Sequence, residues 1–333
     1  MKIVVVGAGA IGGYLGALLG AAGETVTFIA RGGNLEAIRH DGMKVTLEDG
    51  REVTGRSAAV ASLADAGPHD VVLLTVKAHQ VAAIAPQVGQ LCHEHTSIVT
   101  MQNGIPWWYF QRHGGEHEGK PVRAADPDGT IGRHIDPARV VGCVVYPAAN
   151  LVAPGVVQVV EGRRFTLGEP DGTTTPRIEA IAATLTRAGF KAPITSDIRG
   201  EIWLKLIGNL SFNPISALTH ATLVDLLKFP LTRELCVEMM QEAQAVAERL
   251  GVTIRVPIER RIAGAEKVGA HKTSMLQDVE HGKAIEFEAL VGAVVELGRL
   301  AGTPTPHIDA VYACAALLAK TLADAGGRLV VGR

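Results

Sequence analysis

Gly7, Gly9 and Gly12 stand in a G-x-G-x-x-G spacing directly after the apolar run Lys2–Val6. In that placement the first glycine makes a tight turn, the second lets a pyrophosphate approach the backbone, and the third lets a helix pack closely on a strand. Ala10 and Ile11, between the last two glycines, begin a helix expected to run to about Ala22, and its free N–H groups and positive dipole end suit a phosphate. Gly7, Gly9, Ala10, Ile11 and Gly12 are therefore expected to contact a dinucleotide. A second strand, Thr25–Ile29, follows, and its end selects the cofactor. An acid about 20 residues past the glycines would hold a ribose 2′-hydroxyl. Here the chain reads Phe28-Ile29-Ala30-Arg31-Gly32-Gly33-Asn34, with no acid. The Arg31 guanidinium can instead hold a 2′-phosphate bidentately, with Asn34 adding a hydrogen bond, so NADP(H) is favoured over NAD.

A second set of polar residues lies far downstream. Lys205, Asn209 and Asn213 recur every four positions within EIWLKLIGNLSFNP, so they share one helix face, while Ile202, Trp203, Leu206, Ile207 and Leu210 fill the others. A narrow polar stripe on an apolar helix suits one bound ligand; a stripe facing water is the alternative. Pro214 is expected to end or kink this helix. Ser274 precedes a helical stretch and taken alone reads as an N-cap, with Gln277 or Asp278 as partner, and Glu286 reads as a surface helix carboxylate. Lys77 and Asn103 each follow an apolar strand, where a cofactor edge or substrate would lie. His93, His95, His113 and His117, with Glu94, Glu116 and Glu118, raise a metal site, but Gly114 and Gly115 interrupt the second pair and a polar surface loop is the better reading, so no metal is expected.

These residues need a scaffold. With 333 residues, two domains and ample core are expected. After the first βαβ unit, Lys44–Leu47 and Arg51–Thr54 flank the hairpin signal Asp49-Gly50; Asp70–Val76 and Ser97–Met101 read as buried parallel strands joined by a helix over Gln80–Leu91; Val140–Tyr146, Val156–Val160 and Arg164–Leu167 read as further strands. Helix Arg177–Ala188 and the strand-like Ala192–Thr195 lead to a change near residue 197, after which the apolar pattern is helical: Glu201–Asn213, Thr222–Leu227, Thr232–Leu250, Ile258–Ala265, Lys283–Ala301 and His307–Asp324. The fold class is thus an α/β Rossmann-type N-terminal domain over 1–197, which binds the cofactor, plus an all-α domain over 198–333, which carries substrate and catalysis. The helical domain is expected to close a cleft beyond the strand ends.

Composition narrows the function classes. A net charge of −2 leaves no basic footprint for nucleic acid. Ile3–Gly23 carries no charge, but it is rich in glycine and alanine and starts with a strand rather than a basic leader, so neither a membrane span nor a signal peptide is read there. Cys92, Cys143, Cys236 and Cys314 lie far apart, as buried thiols of a reducing compartment do, and a cytoplasmic protein is expected. The Ala- and Leu-rich second half makes a homodimer plausible.

Taken together, GAGAIGG, TVKAHQV, MQNGI, RFTLGEPDG, WLKLIGNLSFNP, HKTSMLQD and the late Glu286, twelve residues after Ser274, resemble the ketopantoate reductase family (2-dehydropantoate 2-reductases) along essentially the whole chain. The resemblance implies an NADPH domain followed by a helical domain like the C-terminal part of 6-phosphogluconate dehydrogenases. It implies Lys205 as the general acid, Glu286 as the carboxylate that positions the site and helps hold the substrate hydroxyl, and Asn103, Asn209, Asn213 and Ser274 as substrate hydrogen-bonding groups. Lys77 and Asn103 are implied on the cofactor side as well. The implied reaction is NADPH-dependent reduction of 2-dehydropantoate to pantoate, on the route to pantothenate and coenzyme A; reduction of another branched 2-keto acid and a catalytically silent NADP(H) sensor are the alternatives. The chain departs from the familiar pattern at Phe287-Glu288, in place of Ile-Asp, at His271-Lys272-Thr273-Ser274, and in the bulky stretch Trp107–Gly119 that the resemblance sets near the cleft.

Overall fold

The computed structural model describes residues 1–327, so positions 328–333 of the second expected domain lie outside the described residues. The chain divides into two compact units. The first comprises Met1–Gln102, Trp107–Pro121 and Asp126–Ile198; the second takes Asn103–Pro106, Val122–Ala125 and everything from Arg199 on.

The first unit runs β1 (Lys2–Val6), α1 (Ala10–Ala21), β2 (Thr25–Ile29), α2 (Gly32–Asp41), β3 (Met43–Thr46), β4 (Glu52–Gly55), β5 (Ala58–Val60), α3 (Leu63–Ala66), β6 (His69–Leu74), α4 (Ala78–Val88), β7 (Cys92–Thr100), α5 (Thr130–His134), β8 (Val140–Val145), β9 (Ala148–Ala153), β10 (Val156–Glu161), β11 (Phe165–Gly168) and α6 (Pro176–Arg187). One sheet has the order β11-β8-β7-β6-β1-β2-β5, all parallel except the β11 edge. Val5 of β1 pairs with Phe28 on one side and Leu73 on the other. β1 is apolar on both faces and almost wholly buried, as a strand covered by helices on both sides of a parallel sheet must be. The strand order turns back between β1 and β6, and in such sheets ligands bind beyond the carboxyl ends of the strands at that point. A second, four-stranded sheet, β4-β3-β10-β9, packs on α1; its β3–β4 pair is the hairpin read at Asp49-Gly50.

The second unit contains α7 (Ile198–Thr219), α8 (Leu223–Lys228), α9 (Pro230–Arg249), α10 (Ile258–Val268), α11 (Ser274–Glu280), a π-helical turn at Glu288–Gly292, α12 (Ala293–Ala301) and α13 (Pro306–Asp324). Three expectations are corrected here. Of the two outcomes expected at Pro214, an end is ruled out: helix α7 runs through it to Thr219, because Ile215, Ser216 and Ala217 beyond the proline are buried, and that packing outweighs the roughly 3 kcal/mol a mid-helix proline costs. The expected helix Lys283–Ala301 begins only at the π turn, so Glu286 sits on an irregular, half-buried segment rather than on a helix surface. Strands β5 and β9 and helix α2 were not anticipated; α2 opens on Gly32-Gly33, a pair of poor helix formers. No helix among the described residues is long and apolar enough to cross a membrane.

The start of the bulky Trp107–Gly119 stretch is buried. Trp107, Trp108, Tyr109 and Phe110 are buried within the first unit, and Trp108 Nε1 donates to Thr100 Oγ1 at 2.9 Å. Large rings contribute most when removed from water, and the Trp107 Nε1 donor is buried with no partner among the described residues. His93, Glu94 and His95 lie on the start of β7 rather than in a loop, while His113 and His117 pack edge-on against Phe110. Among the described residues, no group of three His, Cys, Asp or Glu side chains converges as a metal site would require.

Candidate active site

The glycine loop of the first unit is built for close approach. A Cβ on Gly12 would lie 2.1 Å from the Gly7 carbonyl oxygen and 2.5 Å from Thr75 Oγ1. Around Gly9, in contrast, a Cβ would meet no atom within 4 Å. Gly9 caps α1 with no side-chain hydrogen bond, and the first turn carries no acid. Uncapped N–H groups of Ala10, Ile11 and Gly12, an aligned helix dipole and open space above Gly9 are the physical requirements of a pyrophosphate cradle.

Two residues that the sequence reading missed fix this loop and the end of β6 beside it. Thr75, just after β6, donates from Oγ1 to the Gly7 carbonyl at 2.7 Å and the Val6 carbonyl at 3.1 Å. Gln102, just after β7, donates from Nε2 to the carbonyls of Leu74 and Val76 at 2.8 and 3.0 Å. The available signal was a polar residue immediately after an apolar strand. Lys77 lies beyond the same strand end, half-buried at the start of α4, where its N–H donates to Gln80 Oε1.

Arg31 is exposed at the start of α2, past the end of β2, and its side chain makes no hydrogen bond or ion pair among the described residues. Its guanidinium is therefore available to an anion. Asn34 is partly engaged: its Nδ2 donates to the Ala8 carbonyl at 2.5 Å and its Oδ1 accepts from Gly155 N at 2.7 Å. Both ends of the amide tie α2 to neighbouring loops, and one Nδ2 hydrogen remains beyond these bonds.

In the second unit, α7 presents the expected stripe. Lys205 and Asn209 are half-buried and Asn213 is 6% exposed, while Trp203, Leu206, Ile207 and Leu210 on the other faces are fully buried. Lys205 Nζ donates to Asn103 Oδ1 at 2.5 Å, across 102 positions of sequence. The Asn209 and Asn213 amides make no hydrogen bond among the described residues. Neither amide is fully shut off from solvent, so both are open to an external ligand.

Asn103 is delivered by an unusual backbone. Gly104 adopts φ +91°, and a Cβ there would lie 2.2 Å from the Ala289 carbonyl oxygen, which accepts the Ile105 N–H at 2.8 Å. Only glycine allows this loop to lie flat on the π turn. Ser274 is not the cap of α11: Thr273 is, its hydroxyl accepting the Leu276 N–H at 3.2 Å. With that role taken by a buried neighbour, the exposed Ser274 hydroxyl makes no hydrogen bond among the described residues.

Glu288 lies two positions on from Glu286, at the start of the π turn. Both its oxygens accept from the Tyr312 hydroxyl at 3.1 Å, and burial pushes its carboxyl above the ordinary range, the Tyr312 bond opposing and nearby Glu296 adding to the rise. The structure thus brings Lys205 and Asn103 into direct contact in the second unit and gathers Gly7, Gly9, Ala10, Ile11 and Gly12 into one loop of the first.

Comparison with known proteins adds an independent finding. Residues 3–172 match the family described as ketopantoate reductase PanE/ApbA, and residues 197–319 match its C-terminal counterpart. The chain is 52% identical over 320 residues to the 2-dehydropantoate 2-reductase of Mesorhizobium japonicum, covering 96% of this chain and 98% of that protein. It is 30% identical over 301 residues to the 2-dehydropantoate 2-reductase of Archaeoglobus fulgidus, covering 89% and 90%. A crystal structure from Ralstonia solanacearum, assigned as a ketopantoate reductase, superposes with a TM-score of 0.91 at 41% identity, covering 97% and 98%.

Proposed function

The chain belongs to the ketopantoate reductase family, and on that premise we propose that it reduces 2-dehydropantoate to pantoate with NADPH as the hydride donor, a step toward pantothenate and coenzyme A. The observation that carries the site assignment is the Lys205–Asn103 hydrogen bond beside the unpaired Asn209 and Asn213 amides.

Gly7, Gly9, Ala10, Ile11 and Gly12 would hold the pyrophosphate, Arg31 the 2′-phosphate, and Lys77 and Asn103 would lie on the cofactor side. When bound, the reduced nicotinamide supplies the hydride that adds to the ketone carbon. Negative charge then develops on the ketone oxygen. Lys205 is the group that meets it, donating a proton so that the product is a 2-hydroxy acid and the lysine is left neutral. Asn103 Oδ1 accepts one ammonium hydrogen, which fixes the direction of the Lys205 amine. Asn209, Asn213 and Ser274 offer the hydrogen bonds that orient a substrate bearing a carboxylate, a ketone and a hydroxyl. Glu286 is assigned to that hydroxyl.

Steady-state turnover of 2-dehydropantoate, followed by loss of reduced-nicotinamide absorbance, tests this reading. Lys205→Ala should abolish turnover while NADPH binding stays near wild type; surviving turnover would refute the general acid. Arg31→Ala should weaken NADPH far more than NADH, and equal loss would remove the 2′-phosphate role.

A further inference from the structure

We propose that Glu288 and Tyr312 are positioning residues for Lys205, acting through the π turn that holds the Asn103 loop; the proposal rests on the assignment of Lys205 as the proton donor. The chain of contacts is continuous and lies within the second unit. Residues 288–292 form a single wide turn in which the Gly292 N–H reaches back to the Phe287 carbonyl and the Ala293 N–H to the Glu288 carbonyl, five positions each. An α-helix would instead give the Ala293 N–H to Ala289. The turn leaves that partner elsewhere, and the Ala289 carbonyl accepts the Ile105 N–H at 2.8 Å. Ile105 is two residues from Asn103, whose Oδ1 accepts from Lys205 Nζ at 2.5 Å. Gly104, between them, lies flat against the same carbonyl.

The wide turn has its own support. The Glu288 carboxylate folds back over Gly292, where a Cβ would lie 2.4 Å from its Oε2 and 3.0 Å from the Tyr312 ring. There it accepts the Tyr312 hydroxyl on both oxygens, and the Phe287 ring packs on Tyr312 at 5.8 Å between centroids. Isolated π turns concentrate at functional sites because they cost stability and persist only where something holds them. Here the holder is a half-buried carboxylate and a phenol on α13, and the beneficiary is the hydrogen bond that orients Lys205. Neither Glu288 nor Tyr312 is assigned a contact with substrate or cofactor.

Tyr312→Phe removes the hydroxyl while keeping the ring, and Glu288→Gln keeps an oxygen able to accept it. The expected result for Tyr312→Phe is a fall in kcat of about tenfold with little change in the KM for either substrate. The alkaline limb of its kcat–pH profile should move to lower pH, because an ammonium that loses its acceptor gives up its proton more readily. Glu288→Gln should keep most of the wild-type kcat, whereas Glu288→Ala should behave like Tyr312→Phe. A Tyr312→Phe enzyme with wild-type kcat and pH profile would overturn the proposal. So would a loss of activity that follows a lowered thermal midpoint with the alkaline limb unmoved, since that is the signature of structural damage alone. Lys205→Ala, assayed alongside, separates the two readings. If Lys205→Ala is active, the general-acid assignment has failed; if it is dead while Tyr312→Phe is normal, only the positioning role has failed.

Discussion

Replacing Gly12 and Gly9 by alanine separates two roles that the glycine loop combines. At Gly12 the added methyl would sit 2.1 Å from the Gly7 carbonyl oxygen, 2.5 Å from Thr75 Oγ1 and 3.0 Å from Val5 Cγ1. An ordinary carbon–oxygen contact is about 3.3 Å, so α1 or the loop must shift by roughly 1 Å. Thr75 could swing aside only by giving up its bonds to Gly7 and Val6. Overpacking costs about 1–3 kcal/mol and a lost hydrogen bond about 1 more, for a total of about 2–4 kcal/mol. For a unit of this size that lowers the thermal midpoint by roughly 5–15 °C. At Gly9 a methyl meets nothing in the protein, and stability should change by less than about 1 kcal/mol. It does occupy the space assigned to the pyrophosphate, so NADPH and NADH should both bind at least about tenfold more weakly, some 1.4 kcal/mol. Thermal unfolding followed by circular dichroism without cofactor, and calorimetric titration with each nucleotide, read the two effects apart. Wild-type affinity in Gly9→Ala would refute the cradle. A wild-type midpoint in Gly12→Ala would refute the packing argument.

Asn103→Ala should lower kcat about 10- to 100-fold, because a hydrogen bond to a charged group contributes about 1.5–3 kcal/mol, and NADPH affinity measured by titration should hold within a few-fold. Arg177→Ala should destabilise the first unit by about 3–5 kcal/mol in urea unfolding, since it leaves the fully buried Glu169 carboxylate without the guanidinium that binds both its oxygens. The pH dependence of stability should carry a Glu288 signature. Its carboxyl is raised chiefly by burial, so the folded state holds that proton more tightly than the unfolded state, and the associated stability is complete below the ordinary value of 4.5 and lost as pH rises through the folded value. Glu288→Gln should flatten this loss when urea midpoints are compared across pH; an unchanged slope would count against it.

The parts of this protein that local chemistry decides were legible from residue order. β1 and β2 have the boundaries the apolar runs imply, α1 starts within the glycine motif, and Asp49-Gly50 makes the hairpin, because strand alternation, turn preference and helix initiation act over a few neighbouring residues. The four-residue spacing of Lys205, Asn209 and Asn213 placed them on one helix face for the same reason. What tertiary structure alone decided is which partner each polar group finds. Arg31 and Asn34 sit three positions apart, yet the first is exposed while the second also bonds Ala8 and Gly155. Thr75 clamps Gly7 from 68 positions away, and Asn103 meets Lys205 from 102. Thr273, not Ser274, caps α11, and the Glu288 carboxylate at the π turn meets the Tyr312 hydroxyl from 24 positions away. A side chain's type states what it can donate or accept, but only the path of the whole chain brings a distant donor within 3 Å of it.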